Sequence, residues 1–338
     1  RRPPRSTPKP SSAASDVYKR QKFMSQKLYQ NVIDHINDRI ITEEFKIGDF
    51  IPSESQLSKL LNVSVGTVRK AIDKLENNDI LHRYHGKGTC VKSNLLTMKN
   101  DFRTERVDLA AAFRWAARLN MHEAVANHFS LAVNESGSKF LLNPIGKHFS
   151  EISASDLILI DANNKDTMNQ LNAPDPTAWA IHSALHRNNP QARCILHVHP
   201  KYATILSSLD DKEMKPIDQN TMRFYQRVSI DRDFSGMGLG KEAERLSTLL
   251  GDNPVLMMGN HGVLTAAKTV ASAFDELYYF EKSCETLIGA YQTGKKLHEV
   301  SHKVAKKTAK QWQDYDASEL HFDALKRILD KEESNYKN

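Results

Sequence analysis

Two capped helical segments constrain the fold of the N-terminal part of this chain more than any other feature. They lie in residues 52–80, PSESQLSKLLNVSVGTVRKAIDKLENNDI. Ser53 and Gln56 match a capping box, in which the two side chains satisfy free backbone N–H groups where a helix begins. Ser64 is a second N-cap candidate. Because apolar residues follow each cap at helical spacing, we expect two helices joined by a short turn.

Residues 25–93 extend this pair of helices into a complete module. The segment KLYQNVIDHINDRIIT before the pair has a helical apolar period, and LHRYHGKGTCV after it reads as strand, glycine turn and strand. The order of helix, turn, helix and hairpin resembles the winged helix-turn-helix DNA-binding domain of the GntR family of bacterial regulators. A helical module without a role in DNA binding is the alternative.

The GntR resemblance implies that the second helix of the motif enters the major groove of DNA. The candidate DNA contacts are Ser64, Thr67, Arg69, Lys70 and, in the wing, Lys87. Many family members carry arginine where this chain has Ser55 and Val65, so the operator sequence stays open. Because half-sites are normally read by dimers, the rest of the chain would have to supply the symmetry.

The basic charge of the chain is concentrated in its front part. Residues 1–100 hold 18 of the 47 Lys and Arg residues but only 10 of the 41 Asp and Glu residues. This imbalance favours nucleic-acid binding by the front. Residues 1–24 are rich in Pro, Ser and Arg without an apolar period, so we interpret them as a disordered leader that resembles a translated cloning scar.

Residues 94–105, NLLTMKNDFRTE, are mostly polar and predict a linker. Residues 106–338 read as a complete protein without the front, and Met98 is a natural second start. A fusion produced by misassembled sequence is therefore an open alternative to a genuine two-domain chain.

Residues 106–300 mix helical and strand-like segments without a strict alternation. VDLAAAFRWAARL has the apolar period of a helix, whereas ARCILHVHP reads as a buried strand. We expect an α/β fold, a three-layer α/β/α sandwich around a mainly antiparallel sheet. Residues 301–338 predict a C-terminal helical tail.

The segment ILHVHP places two histidines on one face of a strand. Side chains two residues apart share a face, so His197 and His199 could converge on one Zn²⁺ ion. Catalytic zinc needs about three protein ligands, and His261 in the glycine-rich turn MMGNHGVL is a third candidate. Taken alone, the pair could equally be two partly exposed histidines.

These histidines belong to a wider pattern of NHFSLAV, FLLNPIG, DPTAWAIHSALHRNNPQARCILHVHP and LMMGNHGVLTA. In this order and spacing the segments resemble the class II aldolase/adducin family. The resemblance implies an α/β/α sandwich, often tetrameric, with zinc or another divalent metal held by His197, His199 and His261. It also implies that the substrate cleft is lined by Asn127, Asn143 and Gly146.

One departure from the family pattern affects the expected chemistry. The aldolases of this family carry a proton-shuttling glutamate nineteen residues before the first zinc histidine, where this chain has Ala178. Aldol cleavage needs a group that takes and gives protons, so the familiar route is in doubt. His128 and Tyr225 are the candidate replacements, and a packed core position is the alternative for each.

Three functions are compatible with these features. The first is a zinc-dependent lyase or isomerase on a small hydroxy-carbonyl compound, fused to a DNA-binding domain. The second is a transcriptional regulator whose aldolase-like domain senses an effector and forms a homo-oligomer, a tetramer or dimer. The third is an adducin-like interaction module without catalysis.

Three cysteines, far apart, favour a reducing, cytoplasmic location over a disulfide framework. No apolar run reaches the length of a membrane span, so no membrane partner is expected.

Overall fold

The computed structural model describes residues 28–40, 42, 44–77, 80–92, 102–164, 166–169, 173–236, 239 and 241–338. The chain separates into two compact units, residues 1–101 and 102–338. The expected leader and residues 94–101 of the expected linker lie outside the described residues. Residues 103–105, the end of that linker, already belong to the first helix of the larger unit.

The described part of the smaller unit contains three helices and a hairpin. Its elements are α1 (residues 28–40), α2 (Glu54–Leu61), α3 (Val65–Asn77), β1 (Leu81–Tyr84) and β2 (Gly88–Val91). The capping box of Ser53 and Gln56 is present, which confirms the predicted start of α2. β1 and β2 pair antiparallel, with Leu81 opposite Val91.

The three helices α1, α2 and α3 each bury apolar residues. These include Val32, Ile33, Ile36, Leu57, Val68, Ile72 and Leu75. The helical period predicted the buried face of α3, but it was only partly right for the other two helices, since Leu60 of α2 is 60% exposed and Leu28 of α1 is 42% exposed although both share the apolar period.

The larger unit is built on a seven-stranded sheet. Its strands are β3 (His128–Ala132), β4 (Lys139–Leu142), β5 (Ile158–Asp161), β6 (Cys194–Val198), β7 (Val228–Ile230), β8 (Val255–Met258) and β9 (Gly262–Ala267). Their order across the sheet is β5-β4-β3-β6-β9-β8-β7. Only the edge pair β7–β8 is parallel, so the predicted, mainly antiparallel sheet is confirmed.

Helices cover both faces of this sheet. They are α4 (Arg103–Arg118), α5 (Pro176–Asn188), α6 (Lys201–Ser207), α7 (Gln219–Arg223), α8 (Lys241–Leu250), α9 (Val270–Gln292), α10 (His302–Tyr315) and α11 (Ser318–Glu332). Short 3-10 turns lie at Phe149–Glu151, Ala154–Asp156, Thr167–Asn169 and Ser334–Lys337. No helix in the described ranges combines the length and apolar character that a membrane span requires.

The alternation of side chains along β6 divides the core into two layers. Leu196 and Val198 pack with α4 and α9, whereas Ile195 packs with α5 and α8 on the other face. Two packed helical layers around one sheet confirm the predicted α/β/α sandwich. The expected C-terminal tail is part of this fold, since Phe322 and Leu329 of α11 are buried in the first layer.

Candidate metal centre

Three histidines meet at one end of the sheet. His197 lies near the end of β6, His199 follows that strand directly, and His261 lies in the turn between β8 and β9. One ligand nitrogen from each lies within 4.8 Å of the other two. Because β6 and β9 are neighbours in the sheet, their pairing brings together residues that are more than sixty positions apart.

Hydrogen bonds orient two of these rings. Nδ1 of His197 donates to the carbonyl oxygen of Val263 over 3.1 Å, and Nδ1 of His199 donates to Oε2 of Glu123 over 2.6 Å. The Nε2 atoms of both rings are thereby left to face each other at 3.1 Å. A partner on one ring nitrogen that leaves the other free is the usual arrangement of metal-binding histidines.

The electrostatics of His197 and His261 fit a bound cation. Burial lowers the pKa of His197 well below its usual value and the pKa of His261 to about 4, so both are neutral at pH 7. Nδ1 of His261 is buried and has no hydrogen-bond partner within the described part of the chain. Neutral nitrogen lone pairs in such proximity repel one another unless a cation lies between them, and nitrogen ligands of this kind suit zinc.

The turn that carries His261 depends on a glycine. A Cβ atom on Gly262 would lie 2.6 Å from Cδ2 of His199 and 2.6 Å from the carbonyl oxygen of Val198. No side chain fits at these distances, so the turn can approach β6 only with glycine at this position. The close approach is what brings His261 to the other two histidines.

His128 lies beside the three histidines on the neighbouring strand. It is paired with His197 in the β3–β6 register, and the two ring centroids are 4.9 Å apart. Its Nδ1 lies 2.7 Å from Nε2 of His182 on α5. Burial lowers the pKa of His128 to about 3, so this imidazole is neutral at pH 7.

The residues that we expect to line the substrate cleft differ in their hydrogen bonds. Oδ1 of Asn143 accepts from the amide of Phe129 over 3.1 Å, and its Nδ2 donates to the carbonyl oxygen of Asn127. Oδ1 of Asn127 accepts from the amide of Glu123 over 2.6 Å. Nδ2 of Asn127, by contrast, is buried without a partner among the described residues, so it is a donor available to a ligand. Gly146 has φ of +77°, a backbone conformation that favours glycine.

Tyr225 lies just after α7, where its hydroxyl bonds Nδ1 of His302 at the start of α10 over 2.8 Å. No contact between this side chain and the three histidines exists in the described part of the single chain. Within the single chain, the structure therefore does not bring Tyr225 together with the three histidines.

Comparisons with known proteins agree with this architecture. Residues 107–288 match the family described as Class II Aldolase and Adducin N-terminal domain, which is more than half of the chain. The chain belongs to the class II aldolase/adducin family. Residues 28–91 match the bacterial regulatory proteins of the gntR family, so the smaller unit is a GntR domain.

Three similar proteins illustrate the range of this family. An aldolase class 2 protein of Pseudomonas aeruginosa is 32% identical over 193 residues, which cover 57% of this chain and 73% of that protein. The decarboxylase NovR of Streptomyces niveus is 27% identical over 230 residues, 65% of this chain and 84% of NovR. The crystal structure of an aldolase II superfamily protein from Pseudomonas syringae superposes with a TM-score of 0.63 at 30% identity, covering 70% of this chain and 96% of that one.

Ala178 lies in an apolar environment within residues 102–338, the unit that we call the aldolase domain. Ala178 lies in the first turn of α5, is 2% exposed and packs with Phe140, Leu142 and Ile160. A carboxylate on this backbone would be buried among apolar side chains. Ala178 itself has no group that can transfer a proton.

Sequence reasoning missed two polar residues of the aldolase domain. Glu123 binds His199 although 76 positions separate them. Ser130 links the two histidines of α5. No spacing rule signals either contact, because each depends on how β3, α5 and β6 pack. In the sequence, only the closeness of Glu123 and Ser130 to His128, within seven residues, indicated that they could belong to the site.

The candidate DNA contacts lie along α3 and in the wing of the GntR domain. The Oγ of Ser64 accepts from the amide of Thr67 over 3.0 Å, so Ser64 caps α3. Arg69 has a side chain that is 62% exposed and forms a 2.9 Å ion pair with Glu54 of α2. The Nζ of Lys70 lies 4.9 Å from the ring centroid of Tyr29. Lys87 is exposed in the turn between β1 and β2.

Proposed function

We propose that the aldolase domain is a zinc-dependent lyase or isomerase that acts on a small hydroxy-carbonyl compound. The observation that carries the proposal is the convergence of His197, His199 and His261, whose ligand nitrogens lie within 4.8 Å of one another. Zinc held by these residues would polarise a carbonyl group and stabilise an enediolate. Enzymes of the family are generally dependent on a divalent metal, and zinc is the common one.

The residues around the three histidines would bind and orient the substrate. Asn127 offers its unpartnered Nδ2 as a donor to a substrate oxygen, while Asn143 holds the Asn127 backbone. Gly146 provides a turn without a side chain at the cleft. His128 accepts the proton of a substrate hydroxyl in place of the absent glutamate, and Tyr225 of a neighbouring copy donates one.

The reaction class follows from what these groups can do. A polarised carbonyl next to a proton acceptor supports cleavage or rearrangement at the adjacent carbon. The related protein NovR is named a decarboxylase, and decarboxylation also breaks a carbon–carbon bond beside such a group. Lyase and isomerase chemistry therefore share one site, and the substrate decides between them.

Metal analysis tests the enzyme proposal. We expect purified wild type to hold about one zinc ion per chain, and His199→Ala to lose it, since two nitrogen ligands bind zinc far more weakly than three. His298→Ala is the matched control, because His298 is exposed and makes no hydrogen bond within the described ranges. Absence of any divalent metal from wild type, or equal metal in His199→Ala, overturns the proposal.

The GntR domain supports a second function, regulation of transcription. A GntR domain implies DNA binding, and we propose Ser64, Thr67, Arg69, Lys70 and Lys87 as the contacts. We further propose a homo-oligomer, dimer or tetramer, that presents two such domains to two half-sites. In this reading the aldolase domain senses its hydroxy-carbonyl compound and need not turn it over.

Binding to the promoter of the chain's own operon separates the two functions. A regulator binds this duplex more tightly than a scrambled duplex at the same salt concentration, and a bound effector changes that preference. Equal affinity for both duplexes argues against a specific regulator. Loss of the effector response in His199→Ala, with DNA affinity retained, would connect sensing to the three histidines.

A further inference from the structure

A chain of buried hydrogen bonds leads away from the three histidines into the sandwich. It consists of His128 and Ser130 on β3 and His182 and His186 on α5, and we call these four residues the histidine relay. All four are at most 4% exposed. The proposed function uses only His128, so the other three need a separate explanation.

The contacts of the relay form one continuous path. His128 Nδ1 lies 2.7 Å from His182 Nε2, and His182 Nδ1 contacts the hydroxyl oxygen of Ser130. That oxygen lies 2.7 Å from Nε2 of His186. The path ends where Nδ1 of His186 meets the carbonyl oxygen of Ala192 at 2.7 Å.

The carbonyl at the end of the path determines the direction of every bond in it. A carbonyl oxygen only accepts, so Nδ1 of His186 carries the proton and its Nε2 is an acceptor, because burial keeps this imidazole neutral. Ser130 must then donate its one hydroxyl proton to His186. Its oxygen accepts in turn from Nδ1 of His182, whose burial also keeps it neutral.

The same reasoning determines which ring nitrogen carries the proton in His128, the first histidine of the relay. Nε2 of His182 has no proton left to donate, so it accepts from Nδ1 of His128. Each of the three imidazoles is thus in the Nδ1–H form. Nε2 of His128 is a bare acceptor, and no described residue hydrogen-bonds it.

We propose that Ser130, His182 and His186 are positioning residues that hold His128 in its Nδ1–H form, so that Nε2 accepts a hydrogen bond from a hydroxyl group of the compound bound beside it. The inference rests on the proposed function for the identity of that compound. It narrows the substrate class to compounds with a hydroxyl group next to the group held at the three histidines. An imidazole in the other form would present N–H there and select an acceptor instead.

Histidine-selective ¹⁵N NMR of the full chain without metal tests the relay directly. Two-bond correlations distinguish the two neutral imidazole forms, and single His→Gln variants assign the signals among the 14 histidines. We expect His128, His182 and His186 all in the Nδ1–H form. His128 in the Nε2–H form overturns the inference, and this wild-type measurement needs no variant to fold.

Ser130→Ala tests whether the forms are coupled through the hydroxyl. His186 should keep its Nδ1–H form because Ala192 still accepts from it, whereas His182 and His128 should become mixtures of both forms. The matched control is Ser183→Ala, which removes a buried hydroxyl of α5 that has no partner among the described residues. Equal spectra for the two variants overturn the coupling, since a purely structural serine would leave the tautomers unchanged.

Ligand selection provides a second readout on zinc-loaded protein, with glycolate and acetate as probes. The two carboxylates differ by one hydroxyl, and wild type should prefer glycolate. Ser130→Ala should reduce that preference about 3- to 10-fold, the range of one neutral hydrogen bond, while Ser183→Ala retains it. An unchanged preference in Ser130→Ala contradicts the inference. A protein that binds no zinc but has all three predicted forms refutes the proposed function and leaves the relay intact.

Discussion

The aldolase domain and the GntR domain keep their polar side chains in different places. In the aldolase domain, His128, His182 and His197 are buried, and each bonds a specific partner. In the GntR domain, Arg69 and Lys70 lie on the exposed side of α3, where Arg69 pairs with Glu54 and the Nζ of Lys70 lies over the ring of Tyr29.

This difference agrees with the ligand that we propose for each surface. A site for a small molecule or an ion needs groups held in one geometry before the ligand arrives, because reorganising them costs affinity. A DNA-reading surface gains most of its affinity from mobile positive charge near phosphates. We therefore expect substitutions in the aldolase domain to act by removing hydrogen-bond partners. Substitutions in the GntR domain should act by removing an exposed charge or by freeing one from an ion pair.

The largest expected effect concerns Glu281, a buried carboxylate of α9. It accepts from the amides of Tyr202 and Ala203 over 2.8 Å each, two residues beyond the His199–Pro200 segment. Burial raises the pKa of Glu281 to about 7, although the two amides oppose the shift. The native state therefore binds this proton more tightly than the unfolded state, and stability is lost as the pH rises from the unfolded pKa to about 7.

Glu281→Gln cannot ionise and should remove this pH dependence. Relative to wild type, the variant should gain about 3 kcal/mol in the free energy of unfolding between pH 4.5 and pH 8.5. Denaturant unfolding followed by tryptophan fluorescence measures it, because Trp115, Trp179 and Trp312 all lie in the aldolase domain. Glu135→Gln, which removes an exposed carboxylate of the same domain, is the control. A difference between variant and wild type that stays constant with pH would show that Glu281 does not titrate in this range.

The next effect concerns Glu123, which orients His199 through a 2.6 Å hydrogen bond. Glu123→Ala should weaken zinc binding about 10- to 100-fold, since the partner that holds the ring is lost while all three ligands remain. Competition with a chromophoric chelator measures the affinity. Glu135→Ala removes an exposed carboxylate of the same domain and should leave zinc affinity unchanged. Equal affinities in the two variants would mean that ring orientation does not depend on Glu123.

A smaller effect, which increases a binding affinity instead of reducing it, is expected in the GntR domain. Glu54 holds Arg69 in an ion pair and also contacts Arg83 at 3.3 Å. Glu54→Gln releases Arg69 and removes a negative charge beside the proposed DNA contacts, so DNA affinity should rise about 1.5- to 5-fold, the range of an exposed ion pair. Fluorescence anisotropy with a labelled duplex measures it. Reduced affinity would indicate that Glu54 holds Arg69 in its productive position.

The smallest effect is expected at Lys87 in the wing. Lys87→Ala should weaken binding to all duplexes alike and reduce the slope of log K against log salt by about 1, because one phosphate contact is lost. Lys46→Ala, an exposed lysine outside the proposed DNA contacts, should leave the slope unchanged. A change in sequence preference in Lys87→Ala would instead assign Lys87 to base recognition.

Several features of this protein follow from local sequence alone. The capping box at Ser53 and the apolar period of α2 and α3 predicted the helices of the GntR domain, because caps and helical faces involve residues only three or four positions apart. The pair His197 and His199 could be placed on one side of a strand end for the same reason. The family resemblance supplied His261, which no local rule connects to them.

The rest was decided by tertiary packing. Three features depend on segments that are distant in the sequence. They are the contact of Glu123 with His199, the hydrogen-bonded path from His128 to Ala192 and the burial of Ala178. Such contacts depend on which strands are neighbours and on which helix covers which face. The sequence by itself therefore determined the helices, the two domains' family resemblance and the candidate ligands. Only the tertiary structure decided the hydrogen-bond partners of these residues and the burial that lowers the pKa of His197 and His261, because both depend on which segments pack together.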